Sequence, residues 1–305
     1  MPFSDIYRQQ VGLLVRTLPY VAEEECFALK GGTAINLFVR DLPRLSVDID
    51  LTYLPISNRD QSLAEIENSL RRIGARIKSA VRGIAITESA PATQPTINKL
   101  ILRTPERVQI KIEVTPVLRG CVYEPQTMSV CDKAEEQFGF AEISVLSFAD
   151  LYAGKILAAL DRQHPRDLFD VHQLLENEGI TDEMRTALIV YLISHDHSPH
   201  TLLSPANRDI SHDYERNFRG MTDENVAVET LLAARTALVD NIASNMPEDH
   251  RRFLVSFYRR KPEWSRLGLD DLDQLPAVRW REHNLDKAGE ETRADIVRKL
   301  EEVLW

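Results

Sequence analysis

Two aspartates two positions apart, Asp48 and Asp50, are the side chains of this sequence best suited to hold a metal ion. Residues 44–51 read RLSVDIDL, in which apolar and polar residues alternate as they do in a strand. Both carboxylates therefore share one face, where they repel and raise each other's pKa unless a neighbour neutralises them. Hard oxygen ligands of this kind suit Mg²⁺ or Mn²⁺. We expect one of these cations at Asp48 and Asp50.

A glycine-rich segment precedes the aspartates. Residues 26–30 predict a short strand that ends at Gly31 and Gly32, and residues 33–39 have helical character. Backbone N–H groups at such a turn can face a phosphate, and the hydroxyl of Thr33 is a further donor. Taken alone, the aspartate pair also fits two solvated acids on an edge strand. With the glycines so close, we interpret Gly31, Gly32 and Thr33 as a nucleotide-binding turn beside the metal.

We expect a third carboxylate on an adjacent strand. Residues 108–115, VQIKIEVT, again alternate, and Glu113 is the only acid on their polar face. A single acid of this kind also fits an ordinary surface position. Beside the aspartate pair, we predict that Glu113 is a metal ligand or the general base.

The second half of the chain holds a lysine and two aspartates of interest. Lys155 lies among the apolar residues 151–160 of a predicted helix, so its ammonium either reaches solvent or has a buried partner such as a triphosphate. Asp167 and Asp170 stand early in the next predicted helix, where acids also favour the helix dipole. From the residues alone, a functional and a purely structural role for these aspartates both stay open.

These residues need a scaffold that brings strands and helices together. The chain has 305 residues, of which 43% are hydrophobic and 28% charged, as is typical of a soluble protein with one large or two modest domains. Strand and helix signals mix up to about residue 145, and helical signals dominate afterwards. We predict an α+β fold with an α/β domain over residues 1–145 and a helical domain over residues 146–305.

The predicted elements follow from hydrophobic periodicity and from capping residues. Strands are expected at residues 47–53, 97–103 and 108–117, the last two joined by a polar turn at 104–107. Helices are expected at residues 58–78, starting near Ser57 or Asn58, at 147–162, from Pro165 onwards, and at 182–194, 223–245 and 247–260.

The net charge of −10 argues weakly against a polyanionic partner, but the charge is unevenly distributed. Residues 1–120 hold 16 Lys and Arg against 13 Asp and Glu, whereas the rest of the chain is strongly acidic. The N-terminal part can therefore accommodate a polyanion such as RNA. The candidate phosphate contacts, which fit solvated surface positions equally well, are Arg71, Arg72, Arg76, Lys78, Arg103 and Arg107.

The cysteines and the apolar runs indicate a compartment. Cys26, Cys121 and Cys131 are odd in number and widely spaced, so they predict neither a zinc site nor a disulfide framework. The sequence shows neither an apolar signal segment at its start nor a run of about 20 apolar residues. We expect a cytoplasmic protein with reduced thiols and no membrane partner.

Four motifs, taken together and in this order, resemble those of the AbiEii/AbiGii toxin family. This family belongs to the DNA polymerase β-like nucleotidyltransferase superfamily, and the mycobacterial MenT toxins are relatives. The motifs are GGTAINLF, RLSVDIDL, IKIEVTP, and LYAGKILAALDR followed by RDLFDVHQL, over roughly residues 27–175. The resemblance implies a small mixed sheet with flanking helices, then a helical domain that completes the active-site cleft.

The resemblance also implies roles for individual residues. It implies that Asp48 and Asp50 are the metal-binding pair and that Glu113 is the third acid. It implies that Lys155 is the nucleotide-binding lysine and that Asp167, rather than Asp170, is the last acidic motif. Gly32 and Thr33 would occupy the superfamily's Gly-Ser position, with threonine replacing serine. The third acid varies in position within the family.

The activity implied by the resemblance is that of a metal-dependent nucleotidyltransferase toxin. It would transfer a nucleoside monophosphate from an NTP to an RNA, expected to be the 3′ end of a tRNA, block translation, and be controlled by an antitoxin encoded nearby. Two alternatives stay open: a protein-modifying enzyme that adds AMP or UMP to a hydroxyl side chain, and a non-catalytic nucleotide-binding module. The module is disfavoured because Asp48, Asp50 and Lys155 are intact. A hydrolase using the same carboxylates is the least favoured interpretation.

Overall fold

A seven-stranded mixed sheet forms the centre of the first of two units into which the chain divides. The computed structural model of the protein describes residues 3–91 and 96–305. The first unit comprises Met1–Ser147 together with Arg219–Asn225, and the second comprises Phe148–Phe218 together with Val226–Trp305.

The sheet and its helices account for most of the first unit. Its strands are β1 (Phe27–Lys30), β2 (Asp48–Tyr53), β3 (Ala85–Ser89), β4 (Lys99–Arg103), β5 (Gln109–Val114), β6 (Gln126–Ser129) and β7 (Glu142–Val145). Its helices are α1 (Asp5–Ala22), α2 (Gly31–Ala34), α3 (Arg59–Ala80) and α4 (Asp132–Phe138). The strand order is β3-β4-β5-β2-β1-β7-β6, and the pairs β2–β5 and β1–β7 are parallel whereas the other neighbours are antiparallel.

The two faces of the central strands differ in polarity. On β2, Ile49 and Leu51 are fully buried, whereas Asp48 and Asp50 are partly exposed. Strand β5 shows the same alternation of buried apolar and accessible polar residues. Helix α3 packs on the apolar face, where Gly74 lies close to side chains of β3 and β4. The period-two alternation predicted for both strands is confirmed, and it places the carboxylates on the face opposite α3.

Local signals set several element boundaries. The side chain of Asn58 accepts a hydrogen bond from the N–H of Gln61 at 2.9 Å, so Asn58 rather than Ser57 caps α3. The helix expected at residues 33–39 begins earlier, at Gly31, and continues as a π-helical turn over Ile35–Val39. The sequence predicted a later start because glycine is a poor helix former. The carbonyls of Gly31 and Gly32 nevertheless already accept helical hydrogen bonds.

The second unit is helical. Its helices are α5 (Phe148–Arg162), α6 (Pro165–Asn177), α7 (Asp182–Ser194), α8 (Pro199–Leu203), α9 (Ser211–Asn217), α10 (Val228–Ser244), α11 (Glu248–Tyr258), α12 (Pro276–Lys287) and α13 (Glu290–Leu304), with short 3-10 turns at Trp264–Leu267 and Leu272–Gln274. The mixed α and β fold expected from the sequence is confirmed. No helix among the described residues is long and apolar enough to cross a lipid bilayer.

One helix of the second unit is shorter than its periodicity predicted. The helix expected from residue 223 starts at Val228, because residues up to Asn225 belong to the first unit. There the N–H of Leu45 donates to the carbonyl of Met221 at 2.7 Å, and Arg44 forms an isolated antiparallel bridge with Thr222. These contacts hold the segment that leads into β2.

Candidate active site

A row of four charged side chains crosses the sheet at the level of Asp50. The register aligns Lys30 on β1 with Asp50, Asp50 with Glu113 on β5, and Glu113 with Lys99 on β4. Nζ of Lys99 lies 3.0 Å from Oε2 of Glu113. Residues aligned in register share a face, so two central carboxylates are flanked by two ammonium groups. Glu113 therefore stands beside Asp50, as expected for adjacent strands, and its role stays a prediction.

Asp48 begins β2 on the same face, two residues before Asp50. Its register partner on β5 is Lys111, which is exposed. Both aspartates are partly accessible, whereas Ile49 between them is fully buried. Their carboxylates can therefore meet a cation from solvent without disturbing the core.

The two glycines at the start of α2 lie against side chains of the following segment. Gly31 has a φ of +74°, and a Cβ there would stand 2.8 Å from Oδ2 of Asp50. A Cβ on Gly32 would stand 2.6 Å from a terminal nitrogen of the buried Arg44 and 3.0 Å from Oγ of Ser46. Glycine is therefore required at both positions by close approach, and at Gly31 also by its left-handed backbone.

Thr33 ties the turn to the beginning of β2. Its side chain is fully buried, with Oγ1 2.5 Å from the carbonyl oxygen of Asp48 and 3.0 Å from Oγ of Ser46. Because a carbonyl can only accept, the hydroxyl proton of Thr33 is donated to Asp48. The hydroxyl is thus engaged within the protein, and the nucleotide-binding role predicted for Thr33 depends on its backbone N–H.

Lys30 supplies positive charge next to the carboxylates. Its Nζ donates to Oγ1 of Thr115 at 2.9 Å. Burial lowers the pKa of Lys30 below its ordinary value, and the carboxylates of Asp50 and Glu113 oppose this shift. The two carboxylates therefore favour the charged form of this ammonium.

The donor set on this face fits a hard divalent cation. Asp48, Asp50 and Glu113 offer only carboxylate oxygens, from two parallel neighbouring strands. Mg²⁺ and Mn²⁺ prefer oxygen ligands, whereas sites for zinc usually include imidazole or thiolate. These three residues could therefore hold Mg²⁺ or Mn²⁺.

The second unit carries a buried network of charges on α5 and α6. Nζ of Lys155 lies 2.8 Å from Oδ1 of Asp167 and 3.0 Å from Oδ2 of Asp170, and all three side chains are buried. The more exposed Arg162 donates from Nε to Oδ2 of Asp167 at 2.6 Å. Burial raises the pKa of Asp167, but Lys155 and Arg162 outweigh burial and hold this pKa far below its ordinary value.

The first turn of α6 is fixed by a histidine cap. Nδ1 of His164 accepts a hydrogen bond from the N–H of Arg166 at 3.2 Å, and Pro165 occupies the first helical position. Burial lowers the pKa of His164 to about 4, so the ring is neutral and its Nδ1 can accept at pH 7. This cap positions Asp167, which lies in the same turn.

The cations that were candidate phosphate contacts fall into two groups. Arg71, Arg72 and Arg76 lie on α3, across the sheet from the carboxylates. Arg71 forms an ion pair with Glu67 at 2.8 Å. Arg72 and Arg76 both form ion pairs with Glu24, at 2.7 and 2.5 Å. Their charges are matched locally, which favours the solvated surface positions, and their role as phosphate contacts stays a prediction. Lys78 is also on α3, and Arg107 ends the turn at 104–107 with a φ of +68°. Among the candidates that lie on strands, Arg103 on β4 shares the face of Asp48 and Asp50.

Three residues that shape this site were not predicted from the sequence: Lys30, Arg44 and Lys99. Lys30 directly precedes the motif that begins at Gly31, and Arg44 begins the motif that contains Asp48. The alternation of β4 could have placed Lys99 on the polar face. Without knowing the register, however, nothing in the sequence pairs Lys99 with Glu113.

Comparisons with known proteins agree with this architecture. No curated protein matches the chain. Among solved structures, the chain is similar to MenT4, a nucleotidyltransferase toxin from Mycobacterium tuberculosis H37Rv, with 14% identity, 97% of this chain and 93% of that chain covered, and a TM-score of 0.57. At this identity the likeness shows the fold.

The family is shown by the sequence itself. Residues 12–280 match the family described as nucleotidyl transferase AbiEii toxin of a Type IV toxin–antitoxin system, which is most of the chain. The protein therefore belongs to the AbiEii nucleotidyltransferase toxins, enzymes that use an NTP and are paired with an antitoxin.

Proposed function

We propose that this protein transfers a nucleoside monophosphate from an NTP to RNA, with the 3′ end of a tRNA as the acceptor, in a reaction that requires Mg²⁺ or Mn²⁺. The observation that carries the proposal is the shared sheet face of Asp48, Asp50 and Glu113, directly beside the turn at Gly31. Family membership supplies the reaction class. The metal and the RNA acceptor are what the proposal adds.

Asp48 and Asp50 hold the cation in this proposal. A bound Mg²⁺ or Mn²⁺ would neutralise charge on the α-phosphate and on the attacking oxygen. Glu113 orients or deprotonates the acceptor hydroxyl, and Lys99 at 3.0 Å fixes the position of this carboxylate. Catalysis then depends on positioning and on charge neutralisation, as phosphoryl transfer generally does.

The phosphates of the NTP are assigned to backbone and lysine donors. The N–H groups of Gly31, Gly32 and Thr33 belong to the first turn of a helix, where they have no partners within the helix. Lys155 is assigned to the triphosphate and Asp167 to keeping Lys155 in place. Lys155 already faces two carboxylates, so a phosphate would take the third N–H of its ammonium or exchange with one of them.

A basic strip made of Lys99, Arg103 and Lys111 supports RNA as the acceptor. Lys111 is aligned with Asp48 and Lys99 with Glu113, so the strip begins at the carboxylates. Arg103 lies further along β4 and donates to Oε1 of Gln109 at 2.6 Å. Cations spaced along a sheet can contact successive phosphates of one strand. A hydroxyl side chain of a protein has no comparable need for such a strip.

The acceptor is tested by incubating the protein with each NTP labelled at the α-phosphate, together with total RNA or total protein and Mg²⁺. We expect label in RNA of tRNA size, at its 3′ end, and none after chelation of the metal or with Asp48→Asn. Label in protein would instead establish the protein-modifying alternative. Label in neither fraction would overturn the proposal.

Toxicity gives a second test in cells. Expression of the intact chain should arrest bacterial growth, and Asp48→Asn should not. Co-expression of the antitoxin should restore the growth of cells that express the wild-type chain. Equal arrest by both variants would contradict a catalytic origin of the toxicity.

A further inference from the structure

Two histidines and an aspartate of the second unit form a compact cluster that the proposed reaction does not use. Asp161 lies near the end of α5, and His195 and His197 lie in the connection between α7 and α8. Nδ1 of His197 is 2.7 Å from Oδ1 of Asp161, and Nε2 of His195 is 3.8 Å from Oδ2. One ligand atom from each residue lies within 4.8 Å of the other two.

The backbone that carries the two histidines is anchored from α12. The guanidinium of Arg281 donates to the carbonyl oxygens of Ile193 at 3.2 Å, of His197 at 3.0 Å, and of His195. One rigid cation thus gathers three carbonyls of a five-residue stretch. The imidazole rings, whose centroids are 5.2 Å apart, are consequently held side by side next to Asp161. The cluster is positioned by the fold and does not depend on three independent surface side chains.

The donor set differs in kind from that of the sheet. Two imidazoles and one carboxylate suit a borderline first-row cation such as Zn²⁺, whereas Mg²⁺ prefers oxygen alone. Zinc bonds of about 2.0–2.2 Å place tetrahedral ligands about 3.3 Å apart, within the range that these atoms span.

We propose that Asp161, His195 and His197 form a zinc-binding site that fastens the connection between α7 and α8 to the end of α5. Zn²⁺ takes the place of the hydrogen bond between Asp161 and Nδ1 of His197, and the single proton of this ring then lies on Nε2. Zn²⁺ also replaces the proton on Nε2 of His195, because Nδ1 of this ring accepts from the N–H of His197 at 3.1 Å. The ring proton moves to Nδ1, and that backbone contact opens. A water molecule completes the tetrahedron.

The test uses the full chain without a polyhistidine tag, stripped of metal and titrated with Zn²⁺ against a chromophoric zinc indicator in excess Mg²⁺. We expect one Zn²⁺ per chain and a rise in melting temperature with Zn²⁺. His195→Ala and His197→Ala should each weaken binding by at least about tenfold. The matched control is His212→Ala, an exposed histidine of the same unit, which should bind like the wild type.

Two further measurements keep the outcome unambiguous. Asp161→Asn preserves shape, so it should weaken Zn²⁺ binding even if an alanine variant misfolds. Co²⁺ in place of Zn²⁺ should give the intense visible bands of a four-coordinate ion, and these bands should vanish in His197→Ala. The proposal fails if the wild type binds no Zn²⁺ under these conditions, or if the histidine and aspartate variants bind it as tightly as His212→Ala.

Discussion

Gly31 lies so close to Asp50 that a methyl group on its Cα would stand 2.8 Å from the carboxylate oxygen Oδ2. The glycine also has a φ of +74°, which other residues adopt only at a cost. The turn assigned to the phosphates and the strand assigned to the metal are thus fitted to each other at a single contact.

Substitution of Gly31 should disturb the contact between this turn and Asp50 on β2. We expect Gly31→Ala to push Asp50 aside, to lower stability by about 1–2 kcal/mol, and to reduce nucleotidyl transfer strongly. The control is Gly154→Ala on α5, where no atom lies within 4 Å of a new Cβ and where alanine should stabilise by up to about 1 kcal/mol. Wild-type transfer rates in Gly31→Ala would contradict the assignment of Asp50.

The metal-binding pair can be tested with isosteric changes. Asp48→Asn and Asp50→Asn each should lower the rate of transfer at least about 100-fold, because an amide is a poor ligand for Mg²⁺. Thermal unfolding should change little in Asp48→Asn, since this side chain is partly exposed and lies outside the core. Asp60→Asn, an exposed acid on α3, serves as the control and should keep full activity.

The basic strip predicts a selective effect on the acceptor. Lys111→Gln should raise KM for RNA several-fold, flatten the salt dependence of RNA binding by about one unit of slope, and leave KM for the NTP unchanged. Lys78→Gln removes an equally exposed lysine from α3, on the opposite face. If both variants weaken RNA binding equally, the strip is not the acceptor surface.

The buried lysine needs a double substitution, because Lys155 both faces two acids and is assigned to the triphosphate. Lys155→Met should cost about 3–5 kcal/mol, since the ammonium beside Asp167 and Asp170 is lost. Lys155→Met/Asp170→Asn should recover most of that stability, because Asp167 keeps Arg162. NTP affinity measured by calorimetry should stay about 10- to 150-fold weaker in the double variant. Full recovery of affinity would make Lys155 a purely structural residue.

His164 predicts a pH dependence of stability. Its pKa is about 4 in the folded chain against about 6.5 in an unfolded one, so the stability present above pH 6.5 is lost as the pH falls towards 4. His164→Asn keeps an N-cap acceptor but does not titrate. Between pH 6.5 and 4, the wild type should lose about 1–2 kcal/mol more than this variant, a value reduced for the partial exposure of the ring. Parallel melting curves would contradict this role.

The pairing of β2 with β5 shows what the sequence could predict. Both strands alternate over six residues, so the polar face of each followed from period two, and the single acid on β5 could be matched to the pair on β2. The Asn58 cap and the turn that ends at Arg107 are likewise encoded within four residues. Patterns of this kind can be predicted because the interacting residues are close together in the sequence.

Contacts between distant segments could not be predicted in this way. Arg72 and Arg76 look like free cations in sequence, yet both are paired with Glu24, which lies about 50 positions earlier. From the sequence, Lys155 was expected either to reach solvent or to have a buried partner. Only the packing of α5 on α6 shows that Asp167 and Asp170 face its ammonium. Helix α1, at Asp5–Ala22, carries Pro19 and was not predicted. Its stability comes from packing more than from propensity.

The short segment Arg219–Asn225 belongs to the first unit, but it is synthesised after Phe148–Phe218 of the second unit. Met221 and Thr222 hold Leu45 and Arg44, at the entrance to the strand of the metal-binding aspartates, across roughly 175 positions of sequence. During translation this anchor emerges long after the rest of the sheet. A nascent or prematurely terminated chain that stops before residue 219 therefore lacks the support of that strand.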